Sequence, residues 1–268
     1  MLIYRNEKPT TRTFPPYRTR DLLGQGGYGI VYRAFDTRSL IPISYAMKCL
    51  PHAHASRSSH RRELHLREIC LHKLASTHPN GISLHREDGD SFTQILRQRQ
   101  YLGQDELVER VFLQLLDAVE YSHSLGIYHR DLKPENILCF DGGLRLAIAD
   151  FGLATTDAFS KEFRTGSTYH MSPGMPTMPI SSPIFRDNPI VFRMPRRTIR
   201  SYSPLFNDVW SLGIILPNLL TGRNPWKSVS LNDPTFYTRL QDTTHFLPTI
   251  LPISDEANIP LVRVLDVN

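Results

Sequence analysis

Cysteine is scarce. Cys49, Cys70 and Cys139 are the three in 268 residues, and no two of them form a CxxC pair. That excludes a disulfide framework and a zinc knuckle, and it fits free thiols in a reducing compartment. Long apolar runs are missing too. The longest, residues 212–220, is interrupted by Pro217 and Asn218 and cannot cross a bilayer. The charged start Met-Leu-Ile-Tyr-Arg-Asn-Glu-Lys-Pro leaves no apolar stretch for a signal peptide. Excess charge is small: 31 Lys and Arg against 26 Asp and Glu give +5. So mild and scattered a surplus does not argue for a nucleic-acid groove. The expectation is a soluble monomer of the cytoplasm and/or nucleus, with neither a membrane nor a nucleic acid as partner.

What is present is enough apolar material, 40% of residues, to bury a large core. Seven of the 20 prolines fall between Pro173 and Pro204, a segment without helical or alternating period that reads as a long loop. Residues 1–90 look strand-rich around one helix at 61–74, with Tyr45-Ala46-Met47-Lys48-Cys49 alternating as a strand. From residue 91 onward the pattern becomes helical. The clearest helix spans 105–125, where Leu107, Val111 and Leu115 form one row with Val108, Phe112, Leu116 and Val119 beside it. Gly126 stands where a left-handed cap is cheapest. A strand-rich part followed by a helical part gives an α+β chain of two lobes, 1–90 and 91–268, with a cleft between them.

Gly24-Gln25-Gly26-Gly27-Tyr28-Gly29 is a GxGxxG, weak on its own. The β-branched and aromatic residues after it make it a turn between strands and not the start of a dinucleotide-binding helix. Such glycines let backbone N–H groups approach phosphate oxygens. In the next strand Ala46 and Lys48 share a face, so a small residue leaves room for a flat base while the ammonium reaches a phosphate. Glu68, on the 61–74 helix, is placed to pair with Lys48.

The strongest signal is His129-Arg130-Asp131-Leu132-Lys133-Pro134-Glu135-Asn136, followed by Asp150-Phe151-Gly152. Between them Ile137-Leu138-Cys139-Phe140 and Leu144-Arg145-Leu146-Ala147-Ile148-Ala149 flank Asp141-Gly142-Gly143, which predicts a hairpin. Its pairing brings Asn136 and Asp150 to one end, as oxygen donors for a hard cation such as Mg²⁺. Asp131 lies close enough to accept a proton from an incoming hydroxyl.

With these motifs in this order, the chain resembles the eukaryotic protein kinase family from about residue 18 to 265. Lys133 within HRDLKPEN is similar to the serine/threonine branch. LHKLASTHPN and TGRNPWKS are similar to fungal serine/threonine kinases that regulate nutrition and meiosis. The resemblance implies a two-lobed fold, with a small antiparallel sheet lobe carrying one helix and a larger helical lobe. It implies ATP and Mg²⁺ as cofactors and proteins as substrates. Gly24, Gly26 and Gly29 would cover the phosphates, and Val31, Ala46 and Leu138 would sandwich adenine. Lys48, held by Glu68, would contact the α- and β-phosphates. Asp131 would be the catalytic base, Lys133 would neutralise the γ-phosphate, and Asn136 and Asp150 would hold the metal.

Four departures make both lobes look incomplete. Only six residues, 86–91, separate His85 from the helix-like Phe92-Thr93-Gln94-Ile95-Leu96, so a fifth strand and the interlobe hinge are expected to be missing. Losing two hydrogen bonds to adenine there would weaken ATP binding by roughly 5- to 150-fold. Met171-Ser172-Pro173-Gly174 has glycine where the family has a glutamate, and Asn268 precedes the helices that would supply its arginine partner. Pro217 falls inside a helix expected at 208–220, where it costs ~3 kcal/mol or kinks the helix. A proline-rich insertion at 175–203 looks longer than the family's connection. Loss of a segment accounts for this pattern better than decay, because every phosphate- and metal-contacting residue is retained. The alternative function is a catalytically impaired kinase-like scaffold or binding module.

In the family Arg130 can clamp a phosphorylated activation segment. This chain has Phe163 three places before Gly166, where such a phosphosite often sits, which leaves Thr165 and Ser160 as alternatives. Ser167 takes the place of a substrate-selecting threonine. His52, His54 and His60 read as part of a solvated Ser/Arg/His-rich loop.

Overall fold

The computed structural model describes residues 13–14, 17–26, 29–40, 44–49, 58–78, 89–90, 101–162, 166–173 and 201–266. The first sheet orders its strands β1 (Thr13–Phe14), β2 (Tyr17–Gly26), β3 (Gly29–Asp36) and β4 (Ser44–Cys49), all antiparallel. Met47 and Lys48 are both buried, so β4 is covered on its two faces; Met47 packs with Ala34 in a small core. Helix α1 runs Ser58–Ala75, three residues earlier than its solvent-spaced Glu and Arg pattern indicated. His60 therefore sits in a helix and not in the Ser/Arg/His-rich loop; His52 and His54 lie outside the described residues.

Strand β5 (Gly89–Asp90) pairs with β6 (Ile137–Phe140), which in turn pairs with β7 (Arg145–Ile148). The lobe boundary drawn at residue 90 falls on β5. The expected loss of the fifth strand and hinge otherwise concerns residues 79–88 and 91–100, which lie outside the described residues, as does the helix-like stretch from Phe92.

Helix α2 (Asp105–Ser124) ends as expected, with Gly126 left-handed at φ 69°. Its inward face centres on Val108, Val111, Leu115, Ala118 and Val119. Leu107 and Phe112 flank that face and Leu116 is exposed, a slight rotation from the sequence row. The face packs on the β6–β7 hairpin and on α3 (Pro204–Thr221).

Helix α3 starts before residue 208 because Ser203 caps it, its hydroxyl accepting from Phe206 N at 3.3 Å, and Pro204 fits the first turn. Pro204 thus belongs to the helix and not to the loop before it. Pro217 does not end the helix, which continues to Thr221 and Gly222. Leu212, Ile215 and Leu219 join the α2 core, whereas Trp210 and Ile214 join a second core. That second core is built with α4 (Pro234–Gln241), α5 (Phe246–Ile250) and α6 (Asp255–Val264). Burial on both sides outweighs the roughly 3 kcal/mol an interior proline costs. Among the described residues no helix is long and apolar enough to cross a membrane.

Two points of this packing are testable. A Cβ on Gly213 would lie 2.8 Å from both Leu265 Cδ2 and Val264 Cγ1, so α6 approaches α3 only over a glycine. Gly213→Val should destabilise the chain by about 1–3 kcal/mol through overpacking, read from urea unfolding. His72 and His170 are buried with Nδ1 atoms that lack a hydrogen-bond partner, and burial pushes each imidazole down to about 4. The unfolded chain binds protons below about 6.5 while the folded chain resists them until about 4, so stability should fall as pH drops through that window. In His72→Leu that loss should shrink, and equal acid sensitivity of the variant in urea titrations from pH 8 to 4 would contradict the assignment.

Candidate active site

The hairpin forms in the register its turn residues indicated, Ile137 opposite Ile148 and Phe140 opposite Arg145. Residues 136 and 150 therefore flank one end of it, where Ala149 N donates to the Asn136 carbonyl at 2.7 Å. Their side chains hold different partners. Asn136 Nδ2 donates to Asp131 O at 2.8 Å and to Asp131 Oδ2 at 3.0 Å. Asp150 Oδ1 accepts from Lys48 Nζ at 2.7 Å.

Lys48 is the join between the two sheets. The residue is 8% exposed, and its ammonium donates to Glu68 Oε1 at 2.8 Å as well as to Asp150. Burial works against the charge on Lys48, but Asp150 and Glu68 more than offset it and leave the ammonium above its usual range. Burial likewise pushes the Asp150 carboxyl up, and the Lys48 charge and hydrogen bond turn the balance to a net lowering. One buried cation thus pairs with two carboxylates, and removing it would leave them without a counter-charge. The expected Lys48–Glu68 pair is present. The third member, Asp150, lies 102 residues away in sequence and was not foreseen as a partner.

Asp131 gathers a second set of contacts. Its Oδ2 accepts from Lys133 Nζ at 2.7 Å and from Asn136 Nδ2; its Oδ1 accepts from Ser167 N at 2.9 Å. Ser167, at the place of the family's substrate-selecting threonine, reaches the carboxylate through its backbone amide. The loop from His129 to Lys133, the catalytic loop by the kinase resemblance, is set from below by Asp208, which is 0% exposed. Its two oxygens accept from His129 N and Arg130 N, each at 2.7 Å, and Oδ2 also meets His123 Nε2 at 3.0 Å. This holds Arg130 at φ 69°, and Asp150 sits at φ 60° across the site. Non-glycine residues in that region cost about 1–3 kcal/mol and persist only where the surroundings over-determine them.

The remaining candidates line the strands above. Gly24 and Val31 are paired across β2 and β3, with open space where a Gly24 side chain would be. Gly26 pairs with Gly29 at the turn. Val31 pairs with Lys48 across β3 and β4, and Ala46 pairs with Arg33, its side chain being outside the described positions. Leu138 is half-buried on β6 between Asp90 and Ala147. The ring of Phe151 stands edge-on to His72 of α1 at 5.6 Å and to His129 at 4.8 Å, tying that helix to the catalytic loop. No local signal in the sequence pointed to that stack.

Asn136 and Asp150 fit a hard divalent cation. The amide nitrogen of Asn136 is committed to Asp131, which turns the amide oxygen away from that carboxylate, and the Asp150 side chain is 37% exposed. Among the described residues no group of three or more His, Cys, Asp and Glu forms a protein cage for a metal, so phosphates and water would complete its coordination.

Sequence comparison places this geometry in a family. Residues 17–260 match the protein kinase domain. A Schizosaccharomyces pombe protein, "Negative regulator of sexual conjugation and meiosis", is 40% identical over 92% of this chain and 55% of its own length. The Saccharomyces cerevisiae serine/threonine-protein kinase VHS1 is 30% identical over 94% of the chain and 66% of its own length. The S. pombe serine/threonine-protein kinase ksp1 is 32% identical over 84% and 48% respectively. The chain thus spans between about half and two thirds of the length of these relatives. Both the serine/threonine branch and the fungal likeness carried by the motifs are met by these proteins. With its core motifs assembled around Lys48 and Asp131, this chain belongs to the protein kinase domain family.

Proposed function

We propose that this chain transfers the γ-phosphate of ATP to serine and threonine hydroxyls of protein substrates. The observation that carries the reading is the convergence of Lys133, Asn136 and the Ser167 amide on Asp131. It stands beside Lys48 held between Glu68 and Asp150. The nucleotide would lie between an N-terminal lobe, residues 1–90, and a C-terminal lobe, residues 91–268. Gly24, Gly26 and Gly29 present backbone amides to its phosphates, and Val31, Ala46 and Leu138 offer apolar surface to the base.

Lys48 would neutralise the α- and β-phosphates, its aim fixed by Glu68. Asp131 would orient the substrate hydroxyl and take its proton as oxygen bonds to the γ-phosphorus and the bond to the β-bridging oxygen breaks. Lys133, already on Asp131, would sit against the transferred phosphoryl group. Asn136 and Asp150 would hold Mg²⁺, which supplies charge neutralisation of the phosphates when bound. Catalysis is then positioning and preorganised electrostatics, with no covalent protein intermediate. A monomer in the reducing cytoplasm or nucleus is the setting we propose; Cys49, Cys70 and Cys139 form no disulfide, which suits such a compartment.

Saturating Mg²⁺-ATP at about 100 times its Kd should stabilise the purified chain by about 2.7 kcal/mol, seen as a rise in Tm. Lys48→Met should abolish that rise. Asp131→Asn should keep it while lowering phosphate transfer about 10²- to 10⁴-fold. Transfer at close to the parent rate in Asp131→Asn would remove Asp131 as the base. No thermal shift in any form would leave the binding-module reading in place of the enzyme.

A further inference from the structure

Arg130 takes no part in the chemistry above, yet it is among the most buried charges, at 4% exposure. A guanidinium does not shed its proton, so at this depth it requires an anion. Its Nε donates to the Leu153 carbonyl, and Nη1 donates to Ser160 Oγ at 3.2 Å and to Glu162 Oε2 at 2.6 Å. The anion is therefore Glu162, 32 residues downstream, whose side chain is 58% exposed.

The backbone that carries Glu162 is fixed as well. Glu162 N donates to Ser160 Oγ at 3.1 Å, and Ser160 exchanges two backbone hydrogen bonds with Tyr202, each 2.9 Å. Past residues 163–165, Gly166 lies at φ 103° against the catalytic loop. A Cβ there would be 2.6 Å from the Arg130 carbonyl oxygen and 3.2 Å from Asp131 Oδ1. The next residue, Ser167, donates its amide to Asp131 Oδ1 at 2.9 Å. Arg130 and Asp131 thus grip one segment at two points, and the first grip is an ion pair encoded in the chain.

We propose that Glu162 is a built-in positioning residue: its carboxylate is the standing counter-ion of Arg130, docking residues 160–162 on the loop that carries Asp131 and favouring the contact of the Ser167 amide with Asp131 without prior phosphorylation. This rests on the kinase reading of the site. A phosphate would bring about −1.5 to −2 charge to an arginine in such a place; the carboxylate brings one, but it is always present. Ser160, one of the hydroxyls considered for modification, is 3% exposed and engaged by both Arg130 and Glu162. It is a strut of the pair and not a site open to a modifying enzyme.

The test uses the full chain, treated with phosphatase until mass spectrometry detects no phosphate. Phosphate transfer to a serine- and threonine-bearing protein and amide hydrogen exchange across 153–173 are both read. The dephosphorylated chain should keep the rate of the untreated one. Glu162→Gln, which keeps the shape and removes the charge, should lower kcat about tenfold or more while the KM for ATP stays within about twofold. Its Ser167 amide should exchange faster, with the core amides of α2 unchanged. The inference is overturned if the phosphatase-treated chain is inactive and recovers on rephosphorylation. It is equally overturned if Glu162→Gln matches the parent in kcat and in Ser167 exchange. A chain that transfers no phosphate in any form defeats the kinase reading alone. Exchange, which needs no turnover, then decides: lost protection in Glu162→Gln supports the ion-pair lock, and unchanged protection overturns it.

Discussion

A carboxylate with no exposed surface organises the site. Asp208 accepts the consecutive amides of His129 and Arg130, each at 2.7 Å, and so holds the catalytic loop in a turn that a free peptide would avoid. Because Arg130 is held left-handed, Asp131 faces Lys133, Asn136 and Ser167 while the arginine side chain drops into the interior. A buried acceptor bonded to charged or polar donors is costly to leave half-satisfied, so the loop and helix α3 stand or fall together. That is why α3, packed on both flanks, is the natural place to anchor it.

A second buried charge connects the sheets. Lys48 lies on β4, Glu68 on α1, and Asp150 follows β7, so the Lys48 contacts report whether strand, helix and hairpin are in register with one another. The Phe151 ring, edge-on to His72 and His129, adds an apolar contact along the same line from α1 to the catalytic loop. Electrostatics and ring packing therefore place the same three elements, and the site is preorganised instead of being assembled by its ligand.

How much of this could be read from the chain depended on the range of the interaction. The β6–β7 hairpin was legible because Asp141-Gly142-Gly143 and the apolar arms are local, and Gly126 was legible as a cap for the same reason. Periodicity put Lys48 on a strand and Glu68 on a helix, and the kinase resemblance implied the pair they form. The start of α3 was hidden because Ser203-Pro204 sits at the end of a proline-rich stretch, where proline reads as loop although it also suits a first helical turn. Pro217 lies inside the helix as its position in the sequence indicated, but only tertiary burial shows what offsets its cost. Residue 208 stood out only as the expected start of a helix, whereas the role of Asp208 rests on burial. Glu162 gave no signal, and Ser160 was singled out only as a hydroxyl to be modified: their partner is about thirty residues away and the pairing depends on the fold.

We propose that these two charge clusters serve phosphate transfer to hydroxyls. The decisive measurement incubates the purified chain with γ-labelled ATP, Mg²⁺ and a mixed protein substrate and then separates the phosphoamino acids. Label should appear on serine and threonine, with one ADP formed for each phosphate transferred. ATP that binds firmly and yields no labelled hydroxyl, or label that appears only as free phosphate, would contradict it.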